Sequence, residues 1–287
     1  MSELLASPGG TRAVLARYDI HPRRKYGQNF LIDRGVIDGI IDAAGITKED
    51  TVLEIGPGIG TMTQLLSQAA GRVIAIEVDS SLERVLSDTL SECGNVTVRY
   101  QDILKTDLPA LREEFGGVRL KCVSNLPYCV TTPVLMQLLE EKDCFESITV
   151  MVQKEVADRM MASAGGKDYG ALSLAVRYYC EPEAVQAVPP HCFTPRPGVD
   201  SEVLVLHILD TPPVEADEAL LFALIRASFN QRRKTLANAL SHGMEGTGYS
   251  LSRAQVQEAL IQMGLPEDIR GEKLSLEQFA ALAGKLA

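Results

Sequence analysis

Asn125-Leu126-Pro127-Tyr128 is the string whose residue types and order could do chemistry on a nucleobase. An amine conjugated to a purine is a poor nucleophile, because its lone pair is delocalised into the ring. The side-chain oxygen of Asn125 and the carbonyl of Leu126 could accept its two N–H bonds and favour a pyramidal nitrogen with the lone pair aimed at a donor carbon. Pro127 fixes the bend and has no N–H to compete. Tyr128 can stack on the base, an interaction worth about 1–3 kcal/mol. Read without chemistry, the same tetrapeptide is a loop around a buried Tyr.

A second string could hold the donor. Val52-Leu53-Glu54-Ile55 runs into Gly56-Pro57-Gly58-Ile59-Gly60-Thr61 and then into a helical pattern through Met62, Leu65 and Leu66. Glycines after a strand allow a tight turn and close approach to a ligand, and the next helix offers its free N–H groups. Glu77 ends the next strand, 17 positions past Gly60, where a carboxylate suits a ribose diol and repels a 2′-phosphate. The Gly-x-Gly-x-Gly spacing differs from the Gly-x-Gly-x-x-Gly of dinucleotide sites. Asp102, at the end of the third strand, could accept a hydrogen bond from an adenine amine; the alternative for it is an ordinary cap or loop acid. Gly56, Gly58, Gly60, Glu77 and Asp102 therefore point to S-adenosylmethionine rather than a nicotinamide cofactor.

The elements that must position these strings follow from periodicity. Strand patterns cover Thr51 to Ile55, Val73 to Ile76, Val96 to Tyr100, Leu120 to Ser124, Ile148 to Val152, Val185 to Val188 and Val203 to Ile208. Most are separated by helix-length segments, which implies a mainly parallel sheet covered on both faces. The last two have little helix between them and are expected to pair antiparallel at one edge. In such an α/β sheet the acceptor string and the glycine loop both fall at the carboxyl edge. After the turn-rich Asp210-Thr-Pro-Pro-Val-Glu, helical patterns alone remain: Leu220 to Phe229, Thr235 to Ser241, Arg253 to Met263 and Leu276 to Leu286. The expected organisation is a Rossmann-like methyltransferase domain over residues 1–210 and a small all-helical domain over 211–287.

Composition excludes several classes. An apolar fraction of 46% with 23% charged residues is that of a globular chain, not a disordered one. Every apolar run is broken well before the roughly 20 residues a membrane helix needs. The opening Met1-Ser2-Glu3 has no basic start, so no secretory signal is expected and the compartment expected is the cytoplasm. Six cysteines form no Cys-x-x-Cys pair and no zinc spacing, so buried reduced thiols and no metal are expected. The net charge of −10 argues against binding nucleic acid through bulk charge, yet residues 12–34 and 226–234 each carry a local +4. Two solvated charge runs would explain this; so would a phosphate footprint made by Arg23, Arg24, Lys25, Arg232, Arg233 and Lys234.

Asn-Leu-Pro-Tyr together with Glu-Ile-Gly-Pro-Gly-x-Gly resembles the ribosomal RNA adenine dimethyltransferases, closest to the bacterial small-subunit (16S) branch. The resemblance extends over nearly the whole chain, through Gln28-Asn29-Phe30-Leu31, Gln153-Lys154-Glu155-Val156, the string from Phe193 to Ser201 and the string from Phe229 to Thr235. It implies a class I S-adenosylmethionine methyltransferase fold and Asn29, Leu31, Gly56, Glu77, Asp102 and Asn125 around the cofactor. It also implies Phe193 as the second face of an aromatic sandwich on the target adenine, although the residue type alone fits a core position better. The implied partner is 16S rRNA in the small subunit or its precursor, with two adjacent adenosines in a hairpin near its 3′ end, and the chain is expected to act as a monomer. Cys129 and Ala164 depart from the family, which commonly has an aromatic or Asn and a Pro at those places. Rival readings are a large-subunit RNA methyltransferase of the antibiotic-resistance type, a noncatalytic assembly factor on the same fold, and a nicotinamide oxidoreductase.

Overall fold

A computed structural model describes residues 5–23 and 27–287. The strands are β1 (Phe30–Leu31), β2 (Thr51–Ile55), β3 (Arg72–Glu77), β4 (Val96–Tyr100), β5 (Leu120–Asn125), β6 (Phe145–Gln153), β7 (Cys180–Val188), β8 (Phe193–Thr194) and β9 (Ser201–Ile208). Seven form one sheet in the order β4-β3-β2-β5-β6-β9-β7, and β1 pairs with β8 in a separate two-stranded ladder. β2 is parallel to β3 and to β5, β3 to β4, and β5 to β6, whereas β9 runs antiparallel to β6. All seven strands expected from the sequence are present, and the expected edge pair, β7 and β9, are neighbours.

Strands this apolar form a parallel sheet because both faces are covered. All five residues of β2 are buried, as are the five of β3 after Arg72. The chain turns outward on either side of β2, to β3 in one direction and β5 in the other, which opens a crevice at their carboxyl ends. The glycine loop follows β2 and the acceptor bend follows β5, so both face that crevice.

The chain forms two compact units, Met1–Ala157 with Glu181–Ile208, and Asp158–Cys180 with Leu209–Ala287. The expected boundary at 210 misses one exchange: the helix Ala171–Tyr179 belongs with the C-terminal helices. The cause is aromatic packing. The Tyr179 ring stacks on Phe222 with centroids 5.4 Å apart, Tyr178 meets the same ring edge-on at 5.2 Å, and the Tyr179 hydroxyl donates to Glu218 at 2.6 Å. The other helices of this unit are Glu218–Asn230, Leu236–Gly243, Arg253–Gln262 and Leu276–Leu286. The last two begin with capping boxes in which Ser252 and Ser275 pair with Gln255 and Gln278.

Candidate active site

A cavity of about 290 Å³ opens at the crevice, close to the lower end of the roughly 300–1,000 Å³ range of small-molecule pockets. Its wall draws on five segments that are far apart in sequence: residues 27–30, the glycine loop after β2, residues 76–78, residues 101–104, and residues 125–130.

The glycine loop is shaped by what lies against it. Gly58 has φ +60°, and a Cβ there would meet the Phe30 ring at 3.0 Å, so only glycine lets that ring close on the turn. Gly56 lies against Pro127, whose ring carbons stand 3.4 and 3.5 Å from where a Cβ would be, which brings the donor loop and the acceptor bend into contact. Gly60 starts the helix Thr61–Ala69 with no side-chain cap. It packs on Leu90 and Thr89 behind the loop and stands off the cavity wall.

Glu77 is 4% exposed. Its Oε2 accepts the Gly58 N–H at 3.2 Å and its Oε1 the Asp79 N–H at 2.8 Å. Burial pushes its carboxyl above the usual range, while those two backbone donors oppose the shift. Each oxygen keeps a lone pair for another donor, as a diol requires. Val78 and Leu104 are among the few large apolar side chains left exposed, at 49% and 41%, and both lie on the cavity wall beside Ile103. Apolar surface left open inside a pocket suits a flat ring. Asp102 meets both of its sequence readings: it lines the cavity, and its Oδ1 caps the turn at the Leu104 N–H at 3.0 Å. An acid for a ribose and apolar walls for a purine fit S-adenosylmethionine.

The acceptor bend is oriented by the segment preceding β1. Asn125 donates from Nδ2 to the Asn29 carbonyl at 3.3 Å. A carbonyl only accepts, so the amide nitrogen faces Asn29 and Oδ1 is left as the acceptor for a ligand. Leu126 is tied by its N–H to the Met151 carbonyl at 3.1 Å, and the Pro127 carbonyl accepts the Val130 N–H as the helix Thr131–Glu140 begins. Tyr128 lines the cavity with its hydroxyl 2.6 Å from Ser201 Oγ. The 27–29 segment is anchored in turn: Gln28 Nε2 and Arg23 Nη1 lie 3.3 and 3.2 Å from the carboxylate of Asp79, which is 3% exposed. Burial pushes that carboxyl up but is outweighed by Ser81, Arg23 and Gln28, which hold it below the usual range.

The structure thus brings together Asn29, Gly56, Gly58, Glu77, Asp102, Asn125, Leu126, Pro127 and Tyr128. Two further expected residues are not on the cavity wall. Leu31 is a core residue at 4% exposed, because successive side chains of β1 point to opposite faces and Phe30 takes the cavity side. Phe193 is 1% exposed in the same core, drawn there by its pairing with Leu31 across the β1–β8 ladder. Of the basic residues, Arg24 and Lys25 lie outside the described residues, and Arg23 is engaged with Asp79. Arg232 bonds Glu272 at 2.9 Å and the Lys167 carbonyl at 2.8 Å, while Arg233 and Lys234 are exposed in the turn after the helix Glu218–Asn230. Cys129 departs from the expectation of buried thiols: it is exposed and lies on the cavity wall. Sequence reasoning missed Val78, Leu104, Asp79 and Ser201. Only Val78, the apolar residue directly after a strand-end acid, gave a signal.

Comparison with known proteins gives a consistent result. The chain matches the family "Ribosomal RNA adenine dimethylase" over residues 20–284. It is similar to the Ribosomal RNA small subunit methyltransferase A of Lachnoclostridium phytofermentans, with 54% identity over 282 residues, 97% of this chain and 96% of that protein. The protein of the same name from Clostridioides difficile is 46% identical over 281 residues, again 97% and 96%. Among solved structures, a dimethyladenosine transferase from Plasmodium falciparum has a TM-score of 0.71 at 26% identity, over 88% of this chain and 95% of that one. The 23S rRNA methyltransferase ErmE has a TM-score of 0.63 at 27% identity, over 90% and 99%. With a family match that runs through both units, and relatives near half identical from end to end, the chain belongs to the ribosomal RNA adenine dimethylase family.

Proposed function

We propose that the protein dimethylates the 6-amino groups of two adjacent adenosines in a hairpin near the 3′ end of 16S rRNA, as a monomer in the cytoplasm during small-subunit assembly. S-Adenosylmethionine, when bound, supplies an electrophilic methyl on a sulfonium. The chain's own groups bind and orient. Glu77 takes the ribose hydroxyls, Asp102 the adenine amine, and Val78, Ile103 and Leu104 enclose the ring. Asn125 Oδ1 and the Leu126 carbonyl accept the N–H bonds of the target amine, and Tyr128 supports its base. The carrying observation is the contact between Gly56 and Pro127, which sets the donor loop against the acceptor bend in one cavity.

No strong general base is needed, because the methylated ammonium is acidic enough to lose its proton readily. Among the described residues, the cavity wall has no histidine. Catalysis comes from proximity and from acceptor dipoles aimed at the charge that develops on nitrogen. The target must leave its stack, so an unpaired or loop adenosine costs least. In the helical unit Arg233 and Lys234 are the proposed phosphate contacts, positioning RNA without reading sequence. Identity near half with proteins named for the small subunit, against 27% with ErmE, favours the 16S substrate over the large-subunit one. The test is transfer of labelled methyl from S-adenosylmethionine to unmodified small and large subunits offered separately. Label in the small subunit is expected. Label confined to the large subunit overturns the choice of substrate.

A further inference from the structure

The string from Phe193 to Ser201 enters the site through its last residue. Ser201 is the first residue of β9 and is 0% exposed. It pairs with Gln153, the final residue of β6, in an antiparallel ladder, so the start of β9 lies at the edge where the parallel strands end. That is the edge from which the acceptor bend leaves β5. Its hydroxyl lies 2.6 Å from the Tyr128 hydroxyl, and Tyr128 lines the cavity. A phenol ring turns about two bonds; a bond from its oxygen, which lies on the ring's own rotation axis, to a buried strand residue fixes the direction of that axis, and the preference of the phenolic O–H for the ring plane couples the bond to rotation about it. The serine is fixed by the ladder, so the tyrosine is the partner that is held.

We propose that Ser201 is a positioning residue for the target base: its hydroxyl holds the far end of the Tyr128 ring and so sets where the surface that receives the adenine stands in the cavity. This rests on the reading of Tyr128 as the stacking surface. It gives the Phe193–Ser201 segment a part in the reaction that Phe193, buried in the core, does not supply.

The test is a double-mutant cycle with Ser201→Ala and Tyr128→Phe, which remove the same bond from opposite ends, together with Tyr128→Ala. Three quantities are read: methyl transfer to unmodified small subunits, S-adenosylmethionine affinity by calorimetry, and fluorescence of a hairpin RNA carrying 2-aminopurine at the target position. Each single change is expected to lower kcat/KM for RNA about three- to tenfold, the worth of one neutral hydrogen bond. The double variant should be no worse than the worse single, cofactor affinity should be unchanged, and quenching of 2-aminopurine should weaken in all three. Should Ser201→Ala fold poorly, Tyr128→Phe carries the test alone. Additive losses, or wild-type kinetics in Tyr128→Phe, overturn the role of Ser201. Wild-type kinetics in Tyr128→Ala overturn the stacking reading itself, whereas impairment confined to Tyr128→Ala overturns only the proposal for Ser201.

Discussion

Glu54 tests how the central strand is balanced. It lies in β2 at 1% exposed, and its Oε2 has no hydrogen-bond partner among the described residues. Burial pushes its carboxyl up to about 8, opposed by the Thr63 hydroxyl and reinforced by the charge of Glu77. An unfolded glutamate titrates at 4.5. Below that value both states hold the proton and the residue contributes no pH dependence. Between 4.5 and about 8 the unfolded chain releases it and the folded chain keeps it, so stability falls as pH rises, by about 1.4 kcal/mol per unit. Above about 8 the loss levels off near 5 kcal/mol as an upper bound.

Glu54→Gln keeps the shape and removes the titration. The expected gain of the variant over wild type grows by about 3 kcal/mol between pH 6 and pH 9. Glu77 also shifts upward and its charge acts on Glu54, so the difference between the two proteins reports Glu54 together with that coupling. The assay is urea unfolding at the two pH values followed by far-ultraviolet circular dichroism, since the chain has no Trp to report by fluorescence and its pI near 5.0 argues against working lower. The slope of each transition must match between variant and wild type for the comparison to hold. A stability difference that stays constant from pH 6 to pH 9 refutes the reasoning, because Glu54 would then titrate alike in both states.

Four further outcomes are expected. Asn125→Ala should lose about 1.5–3 kcal/mol of transition-state stabilisation, or about ten- to a hundredfold in rate, in single-turnover methyl transfer; a wild-type rate removes Asn125 from the mechanism. Arg233→Ala with Lys234→Ala should weaken RNA binding and reduce its salt slope by about one to two charges with cofactor affinity unchanged. Arg232→Ala should in addition lower the melting temperature, because that guanidinium bonds Glu272 and the Lys167 carbonyl. Phe193→Ala should cost about 3–5 kcal/mol in denaturant unfolding, as for a buried aromatic; unchanged stability with a raised KM for RNA would return Phe193 to the role of a clamp.

What the sequence made legible was set by how local the cause is. The seven sheet strands declare themselves as β-branched runs, and the glycine loop and acceptor bend declare themselves because glycine and proline constrain the backbone on their own. The failures all turn on partners distant in the chain. Residue type does not tell Phe30 from Leu31; only the face each takes in the ladder with β8 sends one to the cavity and the other to the core. The helix Ala171–Tyr179 carries the periodicity of any buried helix, and its place among the C-terminal helices depends on Phe222 and Glu218. A charge run likewise shows where cations are but not which are already committed, as Arg23 is to Asp79 and Arg232 to Glu272.

The acceptor motif itself shows the limit of reading a string alone. Asn125 can accept from an amine only if its oxygen, not its nitrogen, faces the cavity, and nothing within Asn-Leu-Pro-Tyr decides between the two. The decision comes from Asn29, 96 positions earlier, whose carbonyl can pair only with the amide nitrogen. Asn29 is in turn held by a segment that Gln28 and Arg23 fasten to Asp79, two residues beyond the acid proposed to hold the ribose. Donor-side and acceptor-side groups therefore share one anchor, and the orientation of the proposed acceptor amide is a property of the crevice as a whole.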